Sequence, residues 1–553
     1  MIALVDNRRV PRYAQLLRTL AWAVGAIAVL MFGVLIYVRL RYYGHFAPLL
    51  FDDAYFFVRY AQIFEQSGVF GWNVGEGAVH GNTSQLYQVI VTAIYAALHG
   101  NIMLTPILAS MLGAIAYIVA VPLAYLAASS TADKTVKTIV CAAALVLTAF
   151  DAQLDFVAST GMETTWAMAL VAFSLAATFR LRAKATSRKW IAISAALIAL
   201  VYAVRPDAAL LALAAPAGMV VFNRDRTQRR VAAVTIAGGL ALIGIFLAAC
   251  WLYYGDPLPL AFVTKSKILT SLPTAEYPAG THLAVALRFH LPELALCVVA
   301  LLLWPRLPPA LRGAILGVAI FGLYHFFAIL PIMAGYGRFY APAAPVIVVT
   351  ALLAVELIVR RSRLVEGVRS IDLSGGALLG ALALLLCYKT LEPLRDDYDI
   401  LEAAVMADDA RNMAQGSSAY LSQRYYFFGS HLPTLAQAMQ EGCTVASTED
   451  GLLSAIAKGR RMIDMSGLHD RRMVHSGFSA DRVLLQLKPD VLIMPHRYYV
   501  DWIRMLHNHP ALARDYDMEG PLQGMTVAIG FRRDSACAQR TRRALLDGSP
   551  SRN

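Results

Sequence analysis

Two acids stand side by side at Asp52-Asp53, just after the first strongly apolar segment and shortly before Gly75-Glu76-Gly77-Ala78-Val79-His80-Gly81-Asn82-Thr83-Ser84. Adjacent carboxylates this close to a membrane span are costly to place unless water or a cation meets them, so they mark a candidate site for proton transfer or cation binding. The competing reading is a solvated loop. Cationic side chains suited to phosphate recur later at Arg205, Lys265, Lys267 and Arg338. Arg338 lies in the tight turn Gly335-Tyr336-Gly337-Arg338-Phe339-Tyr340, and a planar guanidinium can grip phosphate at two points.

These residues are positioned by a very apolar chain. Of 553 residues, 58% are hydrophobic and 16% charged, with a mean hydropathy of +0.54. That is outside the range of soluble globular domains, whose apolar share is roughly 45–50%, and indicates a polytopic membrane protein. The net charge of +12 comes from Lys and Arg in short clusters between apolar segments, as retention on the cytoplasmic side predicts; it reads as topology rather than nucleic-acid binding. The N-terminal Arg8, Arg9, Arg12 and Arg18 precede an apolar run without a small-residue cleavage site, which reads as an uncleaved anchor.

Spans placed by length and oriented by charge begin with Leu20 to Val38, running outward. Gln85 to Leu98 is too short, since about 14 helical residues reach about 21 Å against a hydrocarbon core of about 30 Å; it is read as juxtamembrane or re-entrant. Then follow Leu104 to Ala127, Ile139 to Phe150, Glu163 to Phe179, Trp190 to Val204, Asp207 to Phe222, Val231 to Tyr253, Leu283 to Trp304, Gly313 to Met333, Tyr340 to Val359 and Leu373 to Tyr388. The expectation is about 11 transmembrane helices. From Thr390 the composition becomes that of a soluble domain. Pro489-Asp490-Val491-Leu492-Ile493-Met494-Pro495 and Thr526-Val527-Ala528-Ile529-Gly530-Phe531 read as strands, and Ala480 to Leu487 as a helix. Residues 1–389 are therefore expected to form the membrane domain, with an outer loop 40–84 carrying the Asp pair, and 390–553 an extracytoplasmic α/β domain.

This assignment leaves Asp52, Asp53, Arg59, Glu76, His80, Asn82, Asp151, Asp155, Glu163, Arg205, Asp207, Lys265, Lys267 and Arg338 on the outer face, while the inner loops hold few acids. One outward-facing polar site accounts for that asymmetry. Each residue also has a plainer reading. Arg205 and Asp207 can pair with each other across Pro206; Glu163 can be a first-turn helix acid; Trp72 can be an interfacial aromatic instead of a ligand-stacking platform. His80 lacks further His at ligand spacing and reads as structural or substrate-contacting. Asp464, His469 and Asp470 can shape a binding surface, but a satisfied loop at a domain contact is the preferred reading. No CxxC or CxxH spacing occurs. Cys443 and Cys537 can pair in an oxidising compartment, yet free buried thiols are the expectation.

The ordered series Asp52-Asp53-Ala54-Tyr55, Arg59-Tyr60, Trp72-Asn73, Gly75-Glu76, Gly81-Asn82-Thr83-Ser84, Gly161-Met162-Glu163-Thr164, Arg205-Pro206-Asp207, Tyr254-Gly255-Asp256-Pro257 and Arg338-Phe339-Tyr340-Ala341-Pro342 resembles the GT-C class of polyprenyl-phosphate-sugar glycosyltransferases. Within it the chain most resembles the mycobacterial terminal β-(1→2) arabinofuranosyltransferase group. Glu449-Asp450-Gly451-Leu452, Arg461-Met462-Ile463-Asp464 and Lys488-Pro489-Asp490 are similar to that group's extracytoplasmic domain. Gly81-Asn82-Thr83-Ser84-Gln85 departs from the Gly-Tyr-Thr or Gly-Tyr-Ser form common there.

The resemblance implies an inverting membrane glycosyltransferase with a donor such as polyprenyl-phosphate arabinofuranose and a cell-envelope glycan, lipid or protein as acceptor, acting outside a bacterial inner membrane. It implies Asp52 or Asp53 as base, Arg338, Lys265, Lys267 and Arg205 as phosphate ligands, and Arg59, Tyr55, Trp72, Glu76, His80, Asn82, Glu163 and Asp207 at the substrates. A magnesium or manganese ion at the paired acids is left open. The chemistry of the residues agrees. Inverting transfer needs a carboxylate to take the acceptor proton and cations to stabilise the departing phosphate, which needs no protonation. The alternative is a transporter or flippase of lipid-linked sugars, which should show inverted repeats and midplane charges; neither is visible.

Overall fold

The computed structural model describes residues 15, 18–34, 52–183, 187–265, 279–329, 337–365, 431–495, 499–522 and 527–547. The expected span Leu373 to Tyr388, residues 390–430 of the expected second domain, the start of the 40–84 loop and Lys267 lie outside the described residues.

The chain opens with α1 (Arg18–Val34), followed by α2 (Asp52–Ser67), α3 (Gln85–Ala97), α4 (Leu104–Ala128), α5 (Lys134–Ala149), α6 (Ala152–Ser159), α7 (Thr164–Ala183), α8 (Arg188–Val204), α9 (Ala209–Phe222), α10 (Arg226–Tyr254), α11 (Leu260–Lys265), α12 (Ala279–Phe289), α13 (Leu291–Leu302), α14 (Pro309–Ala328) and α15 (Ala344–Val365). Among the described residues five helices are long and apolar enough to cross a bilayer: α4, α7, α10, α14 and the stretch Ala341–Ile358 that includes most of α15. Two bent pairs raise this to seven. The expected helix Ile139 to Phe150 is α5 followed by α6 at 46°, and the expected single span Leu283 to Trp304 is α12 and α13 meeting at 81°. Polar caps mark several helix starts: Asp133, Asp151 and Asp225 accept from the first amides of α5, α6 and α10, satisfying donors that the helix itself leaves unpaired. Asp151, expected from the sequence on the outer face, is thus a helix cap.

The C-terminal residues form α16 (Leu432–Gln440), β1 (Val445–Ser447), α17 (Gly451–Ile456), β2 (Met462–Asp464), α18 (Arg471–Ser476), the π-helix α19 (Arg482–Leu487), β3 (Val491–Ile493), α20 (Val500–His507), α21 (Pro510–Asp515), β4 (Tyr516–Glu519), β5 (Ile529–Arg532) and α22 (Ala536–Leu546). One five-stranded sheet runs β2-β1-β3-β5-β4. β1 pairs parallel with β2 and β3, and β5 pairs antiparallel with β3 and β4. β1, β2 and β3 are buried along their whole length, as strands covered on both faces are, whereas the edge strand β4 mixes buried and more exposed residues. Cys443 and Cys537 form a disulfide, which corrects the expectation of free thiols. The two lie far apart in sequence, and the fold brings α16 and α22 together.

Helix α2 joins the two parts. Phe56 and Tyr60, four residues apart and so on one face, pack with Leu453, Met462 and Leu468. Ala54, Tyr55, Phe57, Val58 and Ala61 face α3 and α4 through Tyr87, Val91 and Met111.

Candidate active site

A cavity lies where the N-terminus of α2, the 81–83 loop, the turn before α7, the α8–α9 link, the end of α14, the 338–339 turn and Leu468-His469 converge. Asp53 and Arg338, 285 positions apart, meet there with Nη2 3.3 Å from Oδ2. Both are buried, at 9% and 3% exposure. Arg205 spans Asp207 with two hydrogen bonds, Nε to Oδ1 at 3.2 Å and Nη2 to Oδ2 at 2.8 Å, and its Nη1 is 3.9 Å from Glu163 Oε1. His325 Nε2 is 2.8 Å from Asp207 Oδ2. Phe339 links the two cationic centres, with its ring 5.3 Å from the Arg338 guanidinium and 5.6 Å from that of Arg205, within cation–π range.

The two carboxylate environments differ in kind. Burial alone would raise the Asp207 carboxyl, but Arg205 and the His325 hydrogen bond hold it well below the ordinary carboxylate range, so it stays ionised and keeps Arg205 fixed. Glu163 Oε2 is buried and has no hydrogen-bond partner among the described residues, an acceptor that an incoming hydroxyl would satisfy.

Asp52 and Asp53 part company. Asp52 points away from the cavity toward the C-terminal domain, where its carboxylate accepts from the backbone N–H groups of Gly451 and Leu452 at 2.8 Å each. Burial pushes this carboxyl up to about 6 against the pull of those two amides, with the Asp53 charge adding to the rise. Successive residues of a helix point about 100° apart, so adjacency in sequence sends one acid to the cavity and the other to the domain contact.

The remaining candidates divide in the same way. Asn82, Glu163, Arg205 and Asp207 line the cavity with Asp53 and Arg338, and the Asn82 amide also donates to Gln88 Oε1 at 2.6 Å. Arg59 does not. It is fully buried and donates to the carbonyls of Trp72, Ser454 and Arg460 and to Asn73 Oδ1, a clamp between the 72–73 segment and the C-terminal domain. Burial lowers its guanidinium to about 10. Tyr55 packs toward α3 and α4, its hydroxyl 3.7 Å from Met103 Sδ. Glu76 pairs with Arg461 at 3.3 Å. Trp72 stacks on His469 at 3.9 Å, and His80 Nδ1 is 2.9 Å from the Asp256 carbonyl. Lys265 ends α11.

Sequence reasoning passed over one contributor and preferred the plainer reading of another. His325 sits inside the apolar helix α14, and a histidine in a span is itself a functional signal. His469, for which the sequence favours a satisfied loop over a binding surface, lines the cavity, and Gly81 lets that loop approach. A Cβ on Gly81 would run into His469 Nδ1 and the Tyr60 hydroxyl. Among the described residues no group of three or more His, Cys, Asp or Glu is arranged to hold a metal ion.

No protein-family model and no curated protein sequence matches the chain. Solved structures do match in fold. ArnT from Cupriavidus metallidurans in the apo state superposes with a TM-score of 0.55 at 13% identity, over 91% of this chain and 97% of that one. The same protein bound to undecaprenyl phosphate gives 0.55 at 12%, over 92% and 98%. The oligosaccharyltransferase AglB from Archaeoglobus fulgidus, in complex with an inhibitory peptide and a dolichol-phosphate, gives 0.51 at 14%, over 96% and 78%. At these identities the likeness is one of fold: a multi-pass membrane protein with the GT-C architecture.

Proposed function

We propose that this chain is an inverting membrane glycosyltransferase that moves a sugar, arabinofuranose by the motif resemblance, from a polyprenyl-phosphate donor to a cell-envelope acceptor on the outer side of a bacterial inner membrane. The observation that carries the reading is the buried Asp53–Arg338 pair in one cavity with Arg205, a carboxylate beside the cations that a phosphate leaving group requires. In the reaction Asp53 takes the proton of an acceptor hydroxyl as its oxygen bonds to the anomeric carbon. The bond from that carbon to the phosphate oxygen breaks, and the electron pair leaves on the phosphate. Arg338 stabilises that charge. A donor phosphate competing for Arg338 releases Asp53 from its ion pair, so donor binding readies the base. Asp52, committed to the Gly451 and Leu452 amides, serves to dock the domains.

A second cavity supports a lipid donor. About 570 Å³ in volume and lined largely by Leu283, Leu287, Phe321, Phe326 and other apolar residues of α12 to α14, it reaches Tyr340, two residues from Arg338. A polyprenyl chain fits there with its phosphate at Arg338. ArnT and AglB have been solved with undecaprenyl phosphate and dolichol-phosphate, carriers of the same chemical kind. The Cys443–Cys537 disulfide agrees with a C-terminal domain in the oxidising periplasm.

The test is incubation of purified protein with polyprenyl-phosphate arabinose and glycan acceptors, with the anomeric configuration of the product read by NMR. Inversion is expected. Retention, or movement of the lipid-linked sugar across proteoliposomes with no glycoside formed, would overturn the proposal, the latter in favour of a flippase.

A further inference from the structure

A polar groove of about 460 Å³ adjoins the reaction cavity, walled by the 72–80 segment, by Asp256 and Leu260, and by the C-terminal domain. His469 lines both spaces. Its ring is stacked on Trp72, and its Nδ1 is 3.1 Å from the Tyr60 hydroxyl, so it stands at their junction. Six of the eight charged side chains that line the groove form opposed pairs, Arg461 with Glu76 at 3.3 Å, Arg471 with Asp256 at 2.5 Å and Arg482 with Asp470 at 2.7 Å, and the other two, Arg472 and Asp464, are of opposite sign. Such pairs offer N–H donors and carboxylate lone pairs with little net charge.

His80, 2% exposed, lines the same groove. Its Nδ1 is 2.9 Å from the Asp256 carbonyl oxygen; a carbonyl only accepts, so Nδ1 carries the proton and donates. Burial lowers the affinity of the ring for a second proton. Nε2 is therefore a lone-pair acceptor, and it is buried with no hydrogen-bond partner among the described residues. A buried acceptor left unmet is costly, and a ligand hydroxyl satisfies it. An acyl chain would not, and an anionic group would face its lone pair.

The geometry points to this groove as the acceptor subsite, taking an uncharged, polyhydroxylated glycan whose terminal hydroxyl passes His469 to reach Asp53. It rests on the glycosyl-transfer reading. Transfer from polyprenyl-phosphate arabinose to the octyl glycoside of an arabinofuranose disaccharide tests it. His80→Phe removes the Nε2 acceptor and keeps a flat ring against Tyr254, whose ring lies 4.6 Å away. It should raise KM for the glycoside about tenfold, the loss of one hydrogen bond of about 1.4 kcal/mol, and move KM for the donor less than twofold. Ala78→Trp, which narrows the groove without removing a polar group, should do the same. In the wild type the free methyl glycoside should compete with the glycoside acceptor and not with the donor. If glycoside KM is unchanged in both variants while Asp53→Asn abolishes transfer, the groove assignment falls and the glycosyl-transfer reading stands; an active Asp53→Asn overturns both. Stronger competition by a phosphorylated glycoside than by the neutral one would also overturn the proposed acceptor class.

Discussion

Asp52→Asn separates the docking role of one acid from the chemistry of its neighbour. The folded-state value of Asp52, about 6, lies above the ordinary 3.8, so the folded protein holds the proton more tightly than the unfolded chain. The stabilisation from this group is therefore full below about pH 4 and is lost as pH rises through about 6. A shift of about two units corresponds to about 3 kcal/mol; because Asp52 keeps part of its surface exposed, screening trims this to about 2 kcal/mol. Hydrogen exchange at the Gly451 and Leu452 amides, corrected for intrinsic rate, reads the latch directly. Wild-type protection should fall about thirtyfold between pH 4 and pH 6.5, about 2 kcal/mol at 1.4 kcal/mol per decade. Asparagine, which cannot ionise, should flatten that dependence, leaving only the share of Asp450 and Asp464, which burial also raises. An unchanged slope in the variant, or protection that grows with pH in the wild type, would refute the latch.

Arg338→Gln should raise KM for the lipid donor about 10- to 100-fold, the worth of a charge-assisted contact of about 1.5–3 kcal/mol, in steady-state assays at saturating acceptor; an unaltered donor KM would dismiss Arg338 as a phosphate ligand. Arg59→Met leaves the buried acceptors of Trp72, Ser454, Arg460 and Asn73 without their donor, and should cost at least about 3 kcal/mol, read as a lowered unfolding midpoint in detergent. Gly81→Ala should displace His469 and Tyr60 and lower kcat, with normal activity in the variant counting against the close approach at that loop.

Much of this was legible in the sequence because membrane spans and strands announce themselves through long apolar runs and proline boundaries. Leu104 to Ala127 became α4 within a residue, and the Pro489–Pro495 run contains β3. The chemistry-bearing residues Asp53, Glu163, Arg205, Asp207 and Arg338 were named as types, and they line one cavity. The sharp breaks were not legible: the 81° bend at His290 lies within continuous apolarity that hydropathy reads as a single span. Nor was the division of labour between Asp52 and Asp53, which depends on a partner 400 residues away at Leu452. Tertiary hydrogen bonding of that range leaves no local mark, and the carbonyl partners that make Arg59 a structural clamp are equally invisible in its local sequence.

The catalytic assignment is tested most directly by kcat for sugar transfer from polyprenyl-phosphate arabinose in Asp53→Asn beside Asp52→Asn. Loss of a general base predicts a fall of about 10²- to 10⁴-fold for Asp53→Asn with donor binding retained, and a fall of less than about tenfold for Asp52→Asn. Near-normal turnover in Asp53→Asn, or the larger loss in Asp52→Asn with its domains still docked, would contradict the assignment.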